Sequence, residues 1–482
     1  MRMRFVLVPL VMVLAGLAAV QAQDTPAITA LDYYQIQQLN ARYSHGLDSG
    51  DGELFASVFT PDGVLIDEAG RTTTGRSALT ALPSATAAKG PTNLSHFDVN
   101  LVVDAVPGGA IAKSMVAIVA PSPGQPERVT KGGQYWDDLV RTPQGWRIKR
   151  RTFLVTGTPH PDTQPLATKM PTFAAASPRE TALGLTVADY ADIYELYGRY
   201  AWAYDKTPDE GRMFGDLFTD DGMLVDAEGK ATVGRDNLME MVMRKGALKV
   251  TTLLANIMLD VTPSGVSAKA YLMRRNIPQA PQVNYDEPGG MFFDRLVKTP
   301  AGWRFRARLL VAPHGPAPDA IPTGTVGVTH ARQAPGSERL SPDDRAQIQH
   351  LYARYAHGIE SAADNGQLYA SVFTPDAEFR TAGDYERGGV VGIPALIKQY
   401  AFTPDGKPKP IRLGHETWNV FADAAPWGAV ARAYFNAGYY IDTLVKTPNG
   451  WRFKYKNWRR DYAAPAPAPA PATPPPPAQT LR

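Results

Sequence analysis

The sequence predicts an α+β fold in three tandem domains, each with helices packed on a curved antiparallel sheet. Three observations predict it. The 482 residues suffice for about three domains, at roughly 100–200 residues each. One order of apolar helix, short helix, brief strand, helix and β-rich stretch recurs three times along the chain. A Thr-Pro-x-Gly-Trp turn recurs with it, at Thr142 to Trp146, Thr299 to Trp303 and Thr447 to Trp451. Self-similarity at a fixed period is the mark of a repeat architecture.

The organisation follows from N- to C-terminus. Arg2 and Arg4 precede an apolar run, Phe5 to Val20, and Val20-Gln21-Ala22 offers small residues for cleavage. Residues 1–22 therefore read as a signal peptide, with a periplasmic or secreted mature protein expected; an uncleaved anchor is the alternative. The copies span 28–156, 184–313 and 341–462. Stretches rich in Pro, Ala, Gly and Thr at 157–183 and 314–340 read as linkers, and 463–482 is a Pro/Ala-rich tail.

Each copy opens with apolar residues three and four apart, followed by an acid. The sets are Ile36, Leu39, Tyr43 and Leu47 before Asp48; Ile193, Leu196, Tyr200 and Tyr204 before Asp205; Ile348, Leu351, Tyr355 and Ile359 before Glu360. Such offsets line one face of a helix. A short second helix is expected to end in Phe59-Thr60-Pro61-Asp62 and its counterparts, with a strand at Val64 to Ile66. Gly75-Arg76 and Gly234-Arg235 start another helix; an anion contact and a plain surface residue are both open for Arg76. Strands are expected over Val99 to Val106, Ala110 to Val119, Gly133 to Arg141, and from Trp146 onward. After the tryptophan, strict alternation puts Arg147, Lys149 and Arg151 on one face, which reads as solvated, like Arg304, Arg306, Arg308 and Arg452, Lys454, Lys456.

Composition narrows the chemistry. The net charge is only +3 and no basic patch stands out, so nucleic acid and anionic lipid are not expected partners. There is no cysteine, which excludes thiol nucleophiles and disulfides. No glycine-rich phosphate loop, serine elbow or metal-ligand spacing is present, so neither metal nor cofactor is expected.

This order of elements, closing in Gly-Trp-Arg, resembles the SnoaL-like branch of the NTF2-like superfamily, nearly end to end in all three copies. Relatives include scytalone dehydratase, hexachlorocyclohexane dehydrochlorinase, polyketide cyclases and ketosteroid isomerase. The resemblance implies cone-shaped domains enclosing an apolar pocket. It also implies that an Asp ending the first helix orients a His, in a His-x-x-x-Asn arrangement, which acts as a base. Asp48 with His96 and Asn100 match in copy one, and Glu360 with His415 and Asn419 in copy three. Copy two keeps Asp205 and Asn256 but carries Thr252 in place of histidine. His45, three residues before Asp48, is a rival partner. Tyr43, Asn100, Tyr135 and Arg151 are the substrate contacts so implied; core packing for Tyr135 and surface charge for Arg151 stay open.

The expected function is a cofactor-independent lyase or dehydratase, with isomerase as a close variant. It would act on a small, apolar, cyclic substrate through the Asp48/His96 pair. The alternative is a non-catalytic periplasmic ligand-binding or assembly protein, since fold alone does not set function. Several dehydratase-like relatives are trimers of single domains, which implies an intramolecular pseudo-trimer here.

Overall fold

The computed structural model describes residues 27–87, 94–122, 125–157, 173, 184–245, 250–276, 289–312, 318, 339–361, 365–380, 391–398, 402–407, 415–435 and 438–460. The expected signal peptide and tail, and all but isolated residues of the expected linkers, lie outside them. Copy one comprises α1 (Ala30–Ser49), α2 (Gly52–Ser57), β1 (Phe59–Ile66), β2 (Thr72–Thr74), α3 (Arg76–Ala87), β3 (Ser95–Val106), β4 (Gly109–Ser122), β5 (Gln125–Thr142) and β6 (Gly145–Val155). Its six strands run in the order β2-β1-β6-β5-β4-β3, and copies two and three repeat that order. Only β1 and β6 pair in parallel; the rest is antiparallel. This is the expected fold class, three times over.

In copy two the first helix is α4 (Val187–Lys206), and β9 (Val250–Thr262) and β10 (Gly265–Asn276) are the counterparts of β3 and β4. In copy three they are α7 (Pro342–Ser361), β15 (Thr417–Ala425) and β16 (Gly428–Phe435).

One carboxylate starts the first helix and ties it to the closing turn. Thr29 caps α1 by accepting from Asp32 N–H, and the Asp32 carboxylate accepts in return from Thr29 N–H at 3.0 Å. Its other oxygen accepts the Trp146 indole N–H at 2.8 Å. The same indole bond recurs from Trp303 to Asp189 at 2.9 Å and from Trp451 to Asp344 at 2.8 Å. A capping box satisfies donors that a helix start leaves free, and here it also fixes the tryptophan, so the repeat's most visible residue is a helix-to-sheet tether.

Two local expectations are corrected. Helix α2 stops at Ser57, and Phe59 already begins β1. The Thr60-Pro61-Asp62 stretch forms an irregularity within that strand, where pairing with β6 shifts register between Phe59 and Val64. The alternation after Trp146 is also broken. Asp138 pairs with Arg150 but Leu139 pairs with Ile148, so Lys149 is an extra residue in a β-bulge. Lys149 and Arg150 therefore both lie outside, and Arg151 turns inward and is fully buried. The same slip buries Arg308 and Lys456.

These cations are held by acids on the neighbouring strand. Arg151 donates Nε to Asp137 Oδ1 at 2.8 Å and a terminal nitrogen to Oδ2 at 2.6 Å. Arg308 grips Asp294 the same way, and Lys456 reaches Asp442 at 3.0 Å. Aromatic rings surround each cation. Around Arg308 they come from Tyr197, Tyr200, Phe292 and Phe305, all within 4.7 Å of the guanidinium.

The copies contact one another in a ring: α1 of copy one on β9 of copy two, α4 on β15, α7 on β3. Arg42 pairs with Asp260 at 2.5 Å, Arg199 with Asp423 at 2.5 Å, and Arg354 with Asp104. Gln38 exchanges two bonds with the backbone of Ile257 and Leu259. At the equivalent place in copy three, His350 Nε2 accepts from Val103 N–H at 3.1 Å. Asn100, Asn256 and Asn419 have φ between 52° and 56°, the left-handed region that asparagine tolerates better than most side chains. From these kinks each side-chain oxygen crosses to the next copy: Asn100 to Thr417 N–H at 3.1 Å, Asn256 to Asp98 N–H at 3.0 Å, Asn419 to Leu254 N–H at 3.3 Å.

Truncating one partner of a buried ion pair leaves the other uncompensated, at a cost of about 3–5 kcal/mol. Arg151→Met is therefore expected to lower stability by that order in a denaturant titration. Adding Asp137→Leu should recover much of the loss.

Candidate active site

Asp48 lies in the last turn of α1, just before Gly50, whose φ of 76° ends the helix. His96 is the second residue of β3. The two meet: His96 Nδ1 stands 2.5 Å from Asp48 Oδ1, and the His96 backbone N–H donates to Oδ2 at 2.8 Å. An ionised carboxylate only accepts, so in a neutral ring the proton sits on Nδ1 and Nε2 keeps its lone pair. Among the described residues none bonds Nε2. The two side chains are only 11% and 9% exposed, so little water competes for the pair. A negative charge at a helix C-terminus is unfavourable, and the donors around Asp48 offset that.

The remaining residues expected from sequence divide. Tyr43, Tyr135 and Arg151 form one buried cluster, with the guanidinium 4.2 Å and 4.4 Å from the two ring centroids. Burial pushes the Tyr43 hydroxyl up to about 12 and holds that of Tyr135 well above the usual phenol range, and the Asp48 charge adds to both shifts. Burial works against the charge on Arg151, but Asp137 outweighs it and holds the group cationic. The surface-charge alternative for Arg151 is thus overturned by the bulge at Lys149, and the core-packing one for Tyr135 fits its burial.

Asn100 is not in this cluster. Its side chain bonds Thr417 of copy three, and its carbonyl oxygen lies 2.9 Å from His357 Nε2. Half of the His-x-x-x-Asn arrangement therefore serves the seam between copies. His45 is no rival partner of Asp48 either. Its Nε2 lies 2.8 Å from Asn256 O in copy two, and burial pushes its pKa down to about 4. Arg76 pairs with Glu53 on the surface at 2.6 Å.

In copy three, His415 Nδ1 is bonded to Glu360 Oε1, and the ring stacks on Phe435 at 5.2 Å. In copy two, Thr252 donates its hydroxyl and its backbone N–H to Asp205, and Arg274 donates to the Thr252 hydroxyl. Burial raises Asp205 to about 6, against the pull of Arg274. A hydroxyl and a guanidinium thus replace the imidazole, and neither is a base near neutral pH.

Sequence reasoning missed one member of the copy-one site. The Tyr271 hydroxyl, from β10 of copy two, donates to Asp48 Oδ2 at 2.8 Å. Only the expectation of a compact trimeric arrangement pointed toward such a contribution. No single-copy motif encodes it.

The two larger cavities described lie away from this pair. One of about 130 Å³ sits where the three copies meet, lined by Asn40, Asp98, Asn100, Asn256, Trp418 and Asn419 among others. The other, of about 320 Å³, is lined by charged residues of copies two and three, including Asp192, Arg199, Arg345 and Asp423. Among the described residues no group of three His, Asp or Glu could hold a metal ion, and no helix is long and apolar enough to cross a membrane.

Helices on a bent sheet, with an acid and an imidazole meeting beneath them, define a protein of the NTF2-like class. More narrowly, the chain belongs to the SnoaL-like domain family, whose model matches residues 29–152, 185–309 and 341–457. Among solved structures it is similar to an NTF2-like protein of cystatin-like fold from Novosphingobium aromaticivorans, at 28% identity over 26% of this chain and 82% of that one, TM-score 0.24. It is also similar to a single-residue variant of Rv3472 from Mycobacterium tuberculosis, a protein of unknown function, at 26% identity over 26% and 72%, TM-score 0.24. A third, provisionally named as a scytalone dehydratase and also from Novosphingobium aromaticivorans, shares 25% identity over 26% and 85%, TM-score 0.23. Each spans about the length of one copy. Comparison with proteins of curated function gives no significant match.

Asp98 gives this region a pH signature. It is buried, its Oδ1 accepts from Asn40 at 3.2 Å, and its Oδ2 has no partner among the described residues. Burial raises its pKa to about 7, against the pull of Arg151. The folded state therefore keeps a proton that the unfolded chain has lost, and stability falls as pH rises from about 4 to 7. Asp98→Asn stays neutral throughout. It is expected to be more stable than the parent by roughly 2–4 kcal/mol at pH 8, at about 1.4 kcal/mol per pKa unit. The difference should close toward pH 4, as melting curves across that range would record.

Proposed function

We propose that this protein is a cofactor-independent lyase of the dehydratase kind, with isomerase as the nearest variant, working in copy one. The observation that carries the reading is the His96–Asp48 contact: a sheltered imidazole with its Nδ1 against a carboxylate and its Nε2 without a partner among the described residues. His96 Nε2 takes a proton from a carbon next to an activating group on a small, apolar, cyclic substrate. Asp48 stabilises the imidazolium and keeps the ring in one tautomer, as a carboxylate does in other imidazole bases. The electron pair left on carbon forms the double bond as the C–O bond to a neighbouring hydroxyl breaks. The imidazolium returns its proton to that oxygen, and water leaves. Returned to a different carbon, the same proton completes an isomerisation. Tyr43 and Tyr135, whose hydroxyls feel the Asp48 charge, and Arg151 stacked on both rings form a buried cluster whose cationic and phenolic groups suit an oxygen-bearing substrate.

The three copies act as one intramolecular pseudo-trimer, a reading supported by the ring of Arg–Asp pairs and asparagine bonds. Arg2 and Arg4 ahead of an apolar run support a place outside the cytoplasm. Copy two favours a different role. Without an imidazole, and with Asp205 held by Thr252 that Arg274 backs, it supports its neighbours rather than turning over a substrate.

The test is a panel of cyclic alcohols and hydroxyketones incubated with the full chain and followed by mass spectrometry for loss of water. For a substrate so found, His96→Gln is expected to lower kcat by about 10²–10⁴-fold, the usual worth of general acid–base catalysis. Asp48→Asn should fall in the same direction. Undiminished turnover by His96→Gln would remove the proposal.

A further inference from the structure

The site in copy one is not closed by copy one alone. Asp48 accepts three donors: the His96 ring on Oδ1, and the His96 backbone N–H and the Tyr271 hydroxyl on Oδ2. Tyr271 stands on β10 of copy two, 223 residues away in the chain. It is buried at 2% exposure, in ring contact with Phe97 at 5.5 Å and His45 at 4.5 Å, both residues of copy one. Burial and the adjacent Asp48 charge hold its hydroxyl well above the usual phenol range, so it stays protonated and donates.

The strand registers give the equivalent positions in the other copies. Tyr271 pairs with Ala255, one residue before the kinked Asn256; Met115 pairs with Val99, before Asn100; Tyr434 pairs with Trp418, before Asn419. The position is therefore Met115 in copy one, Tyr271 in copy two and Tyr434 in copy three. A methionine cannot donate to a carboxylate. The copy-one strand bonded to the first helix of copy three is β3, and the residue beside its kink on the paired β4 is Met115, which brings no hydroxyl.

We infer that Tyr271 is a positioning residue for the His96–Asp48 pair, supplied across the boundary between copies, and that copy two, without an imidazole of its own, completes the site of copy one. This rests on the acid–base reading of His96. The physical case is that of a carboxylate with two oxygens and one duty. Oδ1 must face the imidazole along its lone pair for the ring to stay oriented. A donor fixed on Oδ2 removes the freedom of the carboxylate to rotate or to exchange its oxygens. Hydrogen bonds to charged groups are the stronger class, and this one comes from a ring locked by packing, so it loses little freedom when it forms.

The test uses the full chain. Tyr271→Phe keeps the ring and its packing and removes only the hydroxyl. Tyr434→Phe, the same change at the equivalent place in copy three, is the control for general loosening of the seams. With histidine-selective ¹⁵N labelling, the Nδ1 signal of His96, assigned by its loss in His96→Gln, reports the bond to Asp48 without any substrate. The expected result is a changed Nδ1 shift and faster exchange of its proton in Tyr271→Phe, with Tyr434→Phe like the parent. An His96 signal untouched by Tyr271→Phe, or moved equally by both variants, overturns the inference and leaves the role of His96 standing. On a substrate from the dehydration panel, Tyr271→Phe should lower kcat about tenfold, as the loss of one charge-assisted hydrogen bond would, with KM nearly unchanged. A change confined to KM, or none in either constant, overturns it too. Should no substrate emerge, the nitrogen signal still decides the question.

Discussion

The left-handed backbone at three asparagines is the constraint from which the arrangement of copies follows. At Asn100, Asn256 and Asn419 the third strand of each copy kinks, and pairing with the next strand slips beside the kink. A kinked strand turns a side-chain amide and a carbonyl away from its own sheet. The amide oxygen reaches the backbone of one neighbouring copy, and for Asn100 and Asn256 the carbonyl meets a histidine on the first helix of that same copy. Three such kinks, one per copy, bring all three copies to a common junction. Glycine would enter the same conformation at least as readily, but it has no amide to send across. Asparagine meets both demands at once.

The same junction explains what a reader of the sequence gets right and wrong about the site. The histidine and asparagine of His96-x-x-x-Asn100 lie on one strand, and spacing along a strand says which side chains share a face only while the strand stays regular. Beyond the kink that inference fails, so His96 turns to its own helix and Asn100 to copy three. A second irregularity, at Lys149, inverts the reading of Arg151 in the same way. One extra residue moves every later side chain to the opposite face, which converts an apparent solvated stripe into a buried cation clamped by Asp137. The fold itself was legible because helix periodicity, the tryptophan turn and the order of elements repeat three times. The buried charges and the seams were not, because they depend on bulges and on partners more than 200 residues distant, as Gln38 and Ile257 are.

Divergence among the copies is electrostatic more than architectural. Each keeps an acid at the end of its first helix, and each gives that acid a donor from the start of the following long strand. Imidazole serves in copies one and three, and a threonine backed by arginine in copy two. The copy-two arrangement satisfies the carboxylate as a structural group and offers no proton acceptor. Its acid is raised to about 6, which marks a carboxylate whose desolvation is only partly offset. In the inner ion pairs, too, copies one and two use arginine and copy three lysine. Arginine's planar fork engages both oxygens of its acid, whereas Lys456 makes a single bond to one.

Joining the copies on one chain changes what each position is free to become. In a ring of identical subunits, the residue that faces a neighbour's acid must be the same in all three, and so must the acid, the imidazole and the seam contacts. A covalent repeat lifts that identity. Position 271 can be tyrosine where it meets the imidazole-bearing site of copy one, while its equivalent is methionine at 115. The Gln38 position can likewise be a glutamate at 195 and a histidine at 350. Linkage also keeps the neighbours at a high effective concentration, so a seam weakened by one such change is not lost to dissociation. Under those conditions an imidazole can disappear from copy two without cost to copy one, provided the strand that carries Tyr271 stays in place. A copy without an imidazole then still supplies a donor to the carboxylate of its neighbour.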